Sequence, residues 1–299
     1  HLNPFSSEQA TEWLKIYKQY ESSCNIEDIT QQIDSLLPDI RKVILIPYIL
    51  YICVTNNIQF NQITEIARLY DILFSNNKAE FLTTPYNPTD RNVKSVLLEF
   101  EKIITEISKY ILRAPNDVIP TVFIDKLLEK NTIDSNKITA EYLLYRKDND
   151  NYAFMHNSIP SYFIARNLYN IFTSSCINKN YDKLFEELDY FRENDIIIHS
   201  SIIDFIEYFV RTNRSEETIP IIEFLKNFLS GQFNDKLVFK ADIIKIHKYY
   251  YLYFINIVRL AFAYISQHLD PFESFDLFDL LSKEEKEQFI LYTELGQGS

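Results

Sequence analysis

One histidine in this sequence stands where its side chain could contact a phosphate or another anion. The segment from Tyr152 to Leu168 places His156 at the end of a predicted strand, two residues before a helix predicted to begin at Ser158. Helix N-termini offer free N–H donors and about half a positive charge, so they favour anions. An imidazole at such a corner can donate to a phosphate and can change charge near neutral pH. A histidine that merely caps or packs the corner is the alternative.

The other residues with catalytic or metal-binding potential lack the spacing that such sites require. No two of the five histidines have HxxxH or HExxH spacing, and no cysteine lies near any of them. Ser200 and Ser201 adjoin His199, but neighbours in sequence do not face each other on a helix. The GxSxG motif of a nucleophile elbow is absent from the sequence. We therefore expect no metal site and no catalytic residue in this chain.

The glycine content and the net charge exclude several functions. The chain has three glycines, Gly231, Gly296 and Gly298, whereas phosphate-binding loops need glycines that let the backbone approach the phosphate closely. A Walker A loop, a kinase-type glycine-rich loop and a Rossmann fingerprint are therefore excluded within this sequence. The net charge of −12 disfavours binding to nucleic acid and to anionic membranes, which both attract lysine and arginine.

The cysteines and the apolar segments indicate a cytoplasmic protein. The three cysteines are far apart and form no CxxC pair, which is typical of reduced thiols. No signal peptide is expected at the start of the sequence. The apolar run Val43 to Val54 is shorter than the roughly 20 residues that a membrane-spanning helix needs. Because the chain begins with His1 and its single methionine is Met155, we interpret it as a fragment or a processed product.

Helical periodicity dominates the N-terminal part of the chain. Ser6 and Gln9 have the spacing of a capping box, and apolar residues follow at i, i+3, i+4 and i+7. A second helix is predicted over about Arg41 to Thr55, with a kink at Pro47 inside it, because an interior proline removes a backbone hydrogen bond. A third helix follows, and then a polar, proline-containing linker from Ser75 to Asp90.

The middle of the chain has the element order of a winged helix. An amphipathic stripe from Val93 to Ile111 predicts a long helix, and Val122 to Leu128 predicts a short one. Two apolar segments around a polar loop predict one small β-hairpin at about residues 142–155. The next helix begins at Ser158 and has Pro160 in its first turn, where proline is favoured. The predicted wing is nearly neutral in charge, which argues against DNA binding.

The rest of the chain is predicted to contain helices and no strands. These include a long helix over about Asp242 to Gln267 and a last one that begins at Ser282. No repeat of fixed period is present, so a regular solenoid is not predicted. We therefore predict a mainly α fold in three parts. A helical lid occupies residues 1–85, a winged helix 86–172, and an irregular helical array 173–299.

The segment around His156 resembles the winged-helix signature of NACHT-type STAND proteins. These are signal-transducing P-loop ATPases that include NOD-like receptors and bacterial antiphage sensors. Their signature reads roughly F-x-H-x-[ST]-[FI]-x-[ED]-[YF]-x-[AS], and this chain matches it at Phe154, His156, Ser158, Ile159 and Tyr162, with Ala165 one position after the final [AS]. The triplet from Met155 to Asn157 is similar to the MHD triplet of the receptor families, with asparagine in place of aspartate. Pro160 and Ser161 replace the usual polar-acidic pair.

Three earlier stretches resemble the same family, in the same order. The first stretch of this chain, HLNPFSSEQATEWLKIY, is similar to a family segment. That segment follows the last strand of the family's nucleotide-binding core. The family helix whose proline packs near adenine is similar to LIPYILYI, and the next helix is similar to EIARLYDILF. The resemblance extends over about residues 1–172.

The resemblance implies that the chain is part of a nucleotide-gated switch. In the family, the signature histidine contacts the β-phosphate of bound ADP and holds the closed, inactive state, so this role would fall on His156. The proline near adenine would be Pro47. The family's P-loop core precedes these segments and holds ADP or ATP, so this chain alone is not expected to hydrolyse ATP. The implied partners are that core and, on activation, further copies of the protein in a bacterial defence or signalling system.

Two other functions stay open on the sequence. One is an all-helical interaction scaffold or adaptor without a nucleotide role, in which the histidine motif is accidental. The other is a transcription regulator whose winged helix binds DNA, which the net charge of −12 disfavours.

The resemblance also predicts what precedes these residues in the gene. About 100–200 codons upstream of His1, the span of one domain, we expect a GxxxxGK[ST] motif followed by an acidic strand end. Sequencing the upstream coding region tests this expectation. A start codon immediately before His1, with no such motif, would favour the helical scaffold instead.

Overall fold

The chain is mainly helical and forms two compact units, His1–Pro160 and Ser161–Ser299. The structure, a computed structural model, describes residues 3–20, 25–55, 57–74, 93–114, 118–129 and 144–212, and scattered positions after residue 219. Helices account for 75% of the described residues, which confirms the predicted fold class. The predicted linker at Ser75 to Asp90 lies outside the described residues, as do nearly all of the last two predicted helices.

Five helices are described in the first part of unit 1. They are α1 (Ser7–Tyr20), α2 (Ile26–Asp34), α3 (Pro38–Ile44), α4 (Pro47–Thr55) and α5 (Ile66–Phe74), with a 3-10 turn at Phe60–Gln62. The predicted capping box begins α1: the Ser6 N–H donates to Gln9 Oε1 at 2.8 Å, and the Gln9 N–H donates to Ser6 Oγ at 3.2 Å. This helix buries Ala10 and Leu14 and packs against α2.

The single helix predicted over Arg41 to Thr55 is wrong, because the structure has two helices there. Helix α3 ends at Ile44, and α4 begins at Pro47. The Leu50 N–H donates to the carbonyl of Ile46 at 2.9 Å, so Pro47 is the first residue of α4 rather than an interior one. Proline is favoured there because the first N–H of a helix has no intrahelical partner.

The second part of unit 1 has the element order predicted for the winged helix. Its elements are α6 (Val93–Arg113), β1 (Ile119–Pro120), α7 (Thr121–Glu129), β2 (Leu144–Arg146) and β3 (Asn151–Phe154). The strands form an antiparallel sheet in the order β1-β3-β2, with Leu144 opposite Phe154 and Ile119 opposite Tyr152. The predicted hairpin is confirmed as β2 and β3.

The sheet contains a third strand that the sequence did not predict. Strand β1 is two residues long and ends in Pro120, which lies opposite Asn151 of β3. Proline cannot donate a ladder hydrogen bond, and the edge position of β1 tolerates it. The Thr121 N–H, the next along the chain, donates to the Asp150 carbonyl at 2.8 Å and so continues the pairing.

Three described helices follow the sheet. They are α8 (Ser158–Asn178), α9 (Asp182–Glu193) and α10 (Ser200–Thr212). Helix α8 begins at Ser158 as predicted and ends at Asn178. In unit 2 the Phe172 and Phe224 rings meet edge to face at 5.4 Å, and Phe209 lies 5.6 Å from Tyr169. Large aromatic side chains therefore pack against one another in the described part of this unit.

A buried asparagine organises the turn between α9 and α10. Asn256 donates through Nδ2 to the carbonyl of Ile196 at 3.0 Å and accepts the Ile198 N–H at 2.9 Å. Its side chain is almost fully buried, so these two bonds satisfy both ends of its amide. This polar residue interrupts an apolar segment of the sequence because it satisfies backbone groups that a short turn leaves without partners.

Three of the described helices end with a left-handed residue that is not glycine. Asn57, Lys179 and Asp195 have φ values of 52°, 52° and 55°. In each case the next N–H donates to a carbonyl five residues earlier, at 2.8–3.1 Å, which is the Schellman motif. Glycine usually occupies this position because a Cβ atom costs about 1–2 kcal/mol there. The scarcity of glycine therefore carries a conformational cost in this fold.

Glycine at the end of α8 should stabilise the protein relative to alanine. We expect Lys179→Gly to have a higher free energy of unfolding than Lys179→Ala by about 1 kcal/mol, because only alanine retains the Cβ clash. Both variants lose the exposed ion pair of Lys179 with Glu223, 3.1 Å long, so the comparison isolates the backbone term. Urea unfolding followed by circular dichroism measures the difference. Equal or reversed stabilities would contradict the assignment.

Candidate functional site

His156 lies at the corner between β3 and α8, as the sequence predicted. The strand ends at Phe154, the helix begins at Ser158, and the imidazole is half-buried. The apolar residues before it, Phe154 and Met155, are buried and anchor the strand end. The His156 carbonyl accepts the N–H of Ile159 at 3.1 Å, which begins the first turn of α8. The corner therefore fixes the backbone on both sides of the imidazole.

Two hydroxyl groups surround the Nδ1 atom of His156. Ser158 Oγ lies 2.6 Å from Nδ1, and Tyr70 Oη lies 2.8 Å from Ser158 Oγ and 3.3 Å from Nδ1. The Ser158 backbone N–H donates to Nδ1 at 3.2 Å. Tyr70 belongs to α5 and is completely buried, 86 residues before His156 in the chain. The three side chains form what we call the His156 cluster, and it joins α5 to the strand–helix corner within unit 1.

Burial keeps the ionisable groups of the His156 cluster neutral at pH 7. Burial lowers the pKa of His156 below its ordinary value of 6.5, because the charged imidazolium loses water. Burial also raises the pKa of Tyr70 well above its ordinary range, so the phenol keeps its proton. The cluster can therefore offer hydrogen bonds to a ligand, but it supplies neither a cation nor an anion.

Pro47, the other predicted site residue, does not take part in the His156 cluster. It begins α4 and is half-buried, and none of the hydrogen bonds of the cluster involves it. Its ring can offer an apolar surface, but no N–H. The structure thus brings His156 together with Ser158 and Tyr70, and it leaves the two predicted nucleotide contacts as separate features of unit 1.

Tyr70 is the site residue that the sequence analysis did not identify. It lies in a helical stripe with Ala67 and Phe74, and in the sequence it reads as an ordinary core residue. One signal was available, since a buried tyrosine hydroxyl almost always finds a hydrogen-bond partner. The sequence could not show that this partner would lie at Ser158, because the two residues are 88 positions apart.

Unit 1 also contains a cleft of about 340 Å³ beside the end of α4. It is lined by Tyr17, Asn25, Asp28, Ile29, Gln32, Cys53, Val54, Thr55, Asn57, Ile58, Gln59 and Phe60. Asp28 is the one charged side chain among them. Gln32 forms hydrogen bonds to two other lining residues. Its Nε2 donates to Asp28 at 2.9 Å, and its Oε1 accepts the Phe60 N–H at 3.1 Å. Neither predicted nucleotide contact lines this cleft.

The serines beside His199 form no nucleophile pair with it. Ser201 Oγ lies 3.1 Å from Ser161 Oγ, and the carbonyl of His199 accepts the N–H of Ile202 at 3.0 Å at the start of α10. Across the described ranges, no group of three or more histidine, cysteine or acidic side chains is placed to hold a metal ion. None of the helices in the described part of the chain combines the length and apolar character needed to cross a bilayer.

Hydrogen bonding to an anion or to a neutral acceptor is the chemistry that the His156 cluster offers. A neutral imidazole with Nδ1 occupied by two donors has one remaining N–H, on Nε2. That group can donate to a phosphate, carboxylate or carbonyl oxygen. Compared with models of known protein families and with curated proteins, the sequence matches none.

The lowered pKa of His156 should be visible both in its titration and in stability. The unfolded chain binds a proton near pH 6.5, while the folded chain resists it. The neutral form therefore contributes stability above about pH 6.5, and this contribution is lost as the pH falls through the folded pKa. In an NMR titration we expect the His156 ring to titrate below pH 6.5.

His156→Asn is the matched variant, because its Oδ1 can replace Nδ1 as an acceptor but does not titrate. We expect it to lose less free energy of unfolding than the unmodified protein between pH 7 and pH 5. Urea unfolding at both values measures this. A folded pKa at or above 6.5, or equal losses in the two proteins, would contradict the prediction.

Proposed function

We propose that this chain is the regulatory, nucleotide-gated switch of a NACHT-type STAND ATPase. In this proposal residues 1–85 form the helical lid, 86–172 the winged helix, and 173–299 a C-terminal helical region. His156 contacts the β-phosphate of ADP, and Pro47 packs near adenine. The observation that carries the proposal is the neutral imidazole at the β3–α8 corner, whose Nε2 has no hydrogen-bond partner among the described residues.

The order of secondary-structure elements supports this proposal. Helix α6, the edge strand β1, helix α7 and the hairpin β2–β3 follow one another, and the sheet has the order β1-β3-β2. The histidine follows the last strand of this sheet directly, which is where the resembled signature has it. The order alone supports the fold family weakly, since folds of one type host many functions. It gains weight because the signature residue lies at the matching corner.

The local chemistry also suits a phosphate. The Nε2–H of a neutral imidazole is a single donor, and the start of α8 adds a partial positive charge. A hydrogen bond between such a donor and a charged oxygen contributes about 1.5–3 kcal/mol. This contribution is enough to change how long ADP stays bound without making the chain a nucleotide-binding protein by itself. Most of the affinity would come from the P-loop core of the same protein, which also supplies catalysis.

The Tyr70 contact gives the proposed switch a structural basis. Tyr70 lies on α5, in the proposed lid, and His156 and Ser158 lie at the β3–α8 corner, in the proposed winged helix. The same imidazole can therefore contact the nucleotide on one ring nitrogen and the lid on the other. A ligand shifts a conformational equilibrium only by its differential affinity for the two states. Loss of ADP would remove the contact at Nε2, favour opening, and expose a surface for assembly of further copies.

A helical scaffold is the second candidate, and exposed aromatic residues on α1 and α4 favour it. Trp13 stacks on Tyr17 with ring centres 5.4 Å apart and meets Tyr51 edge to face at 6.4 Å. Ile16 and Tyr20 on the same helix α1 are 52% and 84% exposed. Such an apolar face is typical of protein interaction sites. A scaffold would need this face and would not need His156.

Removing the imidazole from the protein that contains both the P-loop core and this chain tests the proposal. His156→Ala should weaken ADP retention about 10- to 100-fold, which corresponds to about 1.5–3 kcal/mol, and should increase the oligomeric fraction. The matched control is His199→Ala, because His199 is an exposed histidine outside the cluster. Release of bound ADP after dilution and the elution volume in size-exclusion chromatography are the two measurements.

Unchanged ADP retention and an unchanged oligomeric state in His156→Ala would refute the nucleotide-gated switch. The helical scaffold would then be the better interpretation. Trp13→Ala together with Tyr51→Ala would be the informative pair of variants for it.

A further inference from the structure

The hydrogen bonds around Nδ1 of His156 have a direction that follows from the donors available. The Ser158 backbone N–H, 3.2 Å from Nδ1, can donate and cannot accept. A proton on Nδ1 would point at this N–H, so this contact favours a lone pair on Nδ1, and the Ser158 hydroxyl adds to that preference. The neutral imidazole therefore has its proton on Nε2.

The two hydroxyl protons then have one consistent arrangement. The contact of 2.6 Å between Ser158 Oγ and Nδ1 is short, so a proton must lie between these atoms, and it belongs to the hydroxyl. The Ser158 hydroxyl is thus used as a donor and can accept from Tyr70 Oη at 2.8 Å. The resulting relay runs from the Tyr70 O–H to the Ser158 O–H and on to Nδ1. The longer 3.3 Å contact between Tyr70 and Nδ1 does not need a proton of its own.

We infer that Ser158 and Tyr70 are positioning residues, which hold His156 in the tautomer with its proton on Nε2 and aim this N–H at an anionic oxygen. The identity of that oxygen, on the diphosphate of ADP, rests on the proposed function. The tautomer itself does not, since it follows from contacts within the chain. Ser158 acts directly on the imidazole, and Tyr70 acts through the Ser158 hydroxyl.

The relay also makes the tautomer sensitive to the position of α5. Tyr70 is buried and keeps its proton, so it is a permanent donor while α5 stays in place. Hydrogen bonds in such chains polarise one another, so the loss of one weakens the next. Displacement of α5 would leave the Ser158 hydroxyl free to rotate away from Nδ1. The imidazole would then lose its fixed tautomer and its fixed direction together.

The tautomer can be read on this chain without any nucleotide. In a sample with ¹⁵N-labelled histidine at pH 8, where the imidazole is neutral, the two ring nitrogens differ in chemical shift according to which one carries the proton. His156→Asn identifies the signals by their loss. We expect the unmodified chain to show the Nε2–H tautomer, and Ser158→Ala to show a mixture. Tyr70→Phe should also increase the fraction of the Nδ1–H tautomer, but by less than Ser158→Ala does.

Two further variants separate positioning from a general structural effect. Ser158→Thr retains the hydroxyl and should restore the single tautomer. Ser161→Ala removes a hydroxyl three residues further along α8, which contacts Ser201 Oγ at 3.1 Å, and should leave the His156 signals unchanged. An Nδ1–H tautomer in the unmodified chain, or a tautomer that Ser158→Ala does not change, would overturn the inference.

The same variants in the protein with its P-loop core distinguish this inference from the proposed function. If both hold, Ser158→Ala weakens ADP retention by less than His156→Ala does, and Ser158→Thr restores it. If the tautomer responds to Ser158→Ala but His156→Ala leaves ADP retention unchanged, the positioning role stands and the nucleotide contact is refuted.

Discussion

A buried tyrosine hydroxyl that needs a partner is the constraint on which the described site depends. Tyr70 is enclosed within unit 1, and an unsatisfied buried hydroxyl would cost about 1–3 kcal/mol. Ser158 meets this need because the chain turns there from β3 into α8. The same turn brings the Nδ1 atom of His156 within reach of two donors. The tautomer and direction of the imidazole are thus linked to how one core hydroxyl is satisfied, while burial keeps the ring neutral.

A second constraint, the lack of glycine, is met by polar side chains and by hydrogen bonding. Asn57, Lys179 and Asp195 adopt left-handed conformations that glycine would adopt more easily, and Schellman hydrogen bonds hold them there. Asn256 supplies hydrogen bonds to a turn that the backbone alone leaves unsatisfied. These residues are part of the reason why helices in a sequence with so little glycine still end at defined positions.

The parts of the fold that were predictable from sequence are those fixed by neighbouring residues. The capping box at Ser6, the β2–β3 hairpin and the start of α8 depend on contacts within a few positions, and the structure confirms them. The position of Pro47 was predicted wrongly, because an unbroken apolar run hid a boundary between two helices. Strand β1 was missed since two residues carry no periodicity, and their pairing with β3 is not local. The three-part division of the chain stays a prediction.

In the site, too, only the features fixed by neighbouring residues were predictable from the sequence. The sequence placed His156 at the strand–helix corner, because the signal lies in adjacent residues. It could not place Tyr70 there, since a helical stripe shows that a residue is buried but not which distant side chain it meets. The neutral state of the imidazole, which decides whether it acts as a donor or as a cation, depends on that unpredicted burial.

The magnitudes limit what the His156 cluster can do in a switch. Moving an equilibrium from 1:99 to 99:1 takes about 5.5 kcal/mol, whereas one hydrogen bond contributes about 0.5–1.5 kcal/mol between neutral groups. The Tyr70 and Ser158 bonds are therefore too weak to hold a closed state by themselves. A charge-assisted bond from Nε2 to a phosphate would add more, but most of the difference has to come from apolar packing and from the nucleotide's other contacts. The cluster is better suited to fixing the direction of the imidazole. This direction would determine whether the proposed lid and the proposed winged helix both respond to the same ligand.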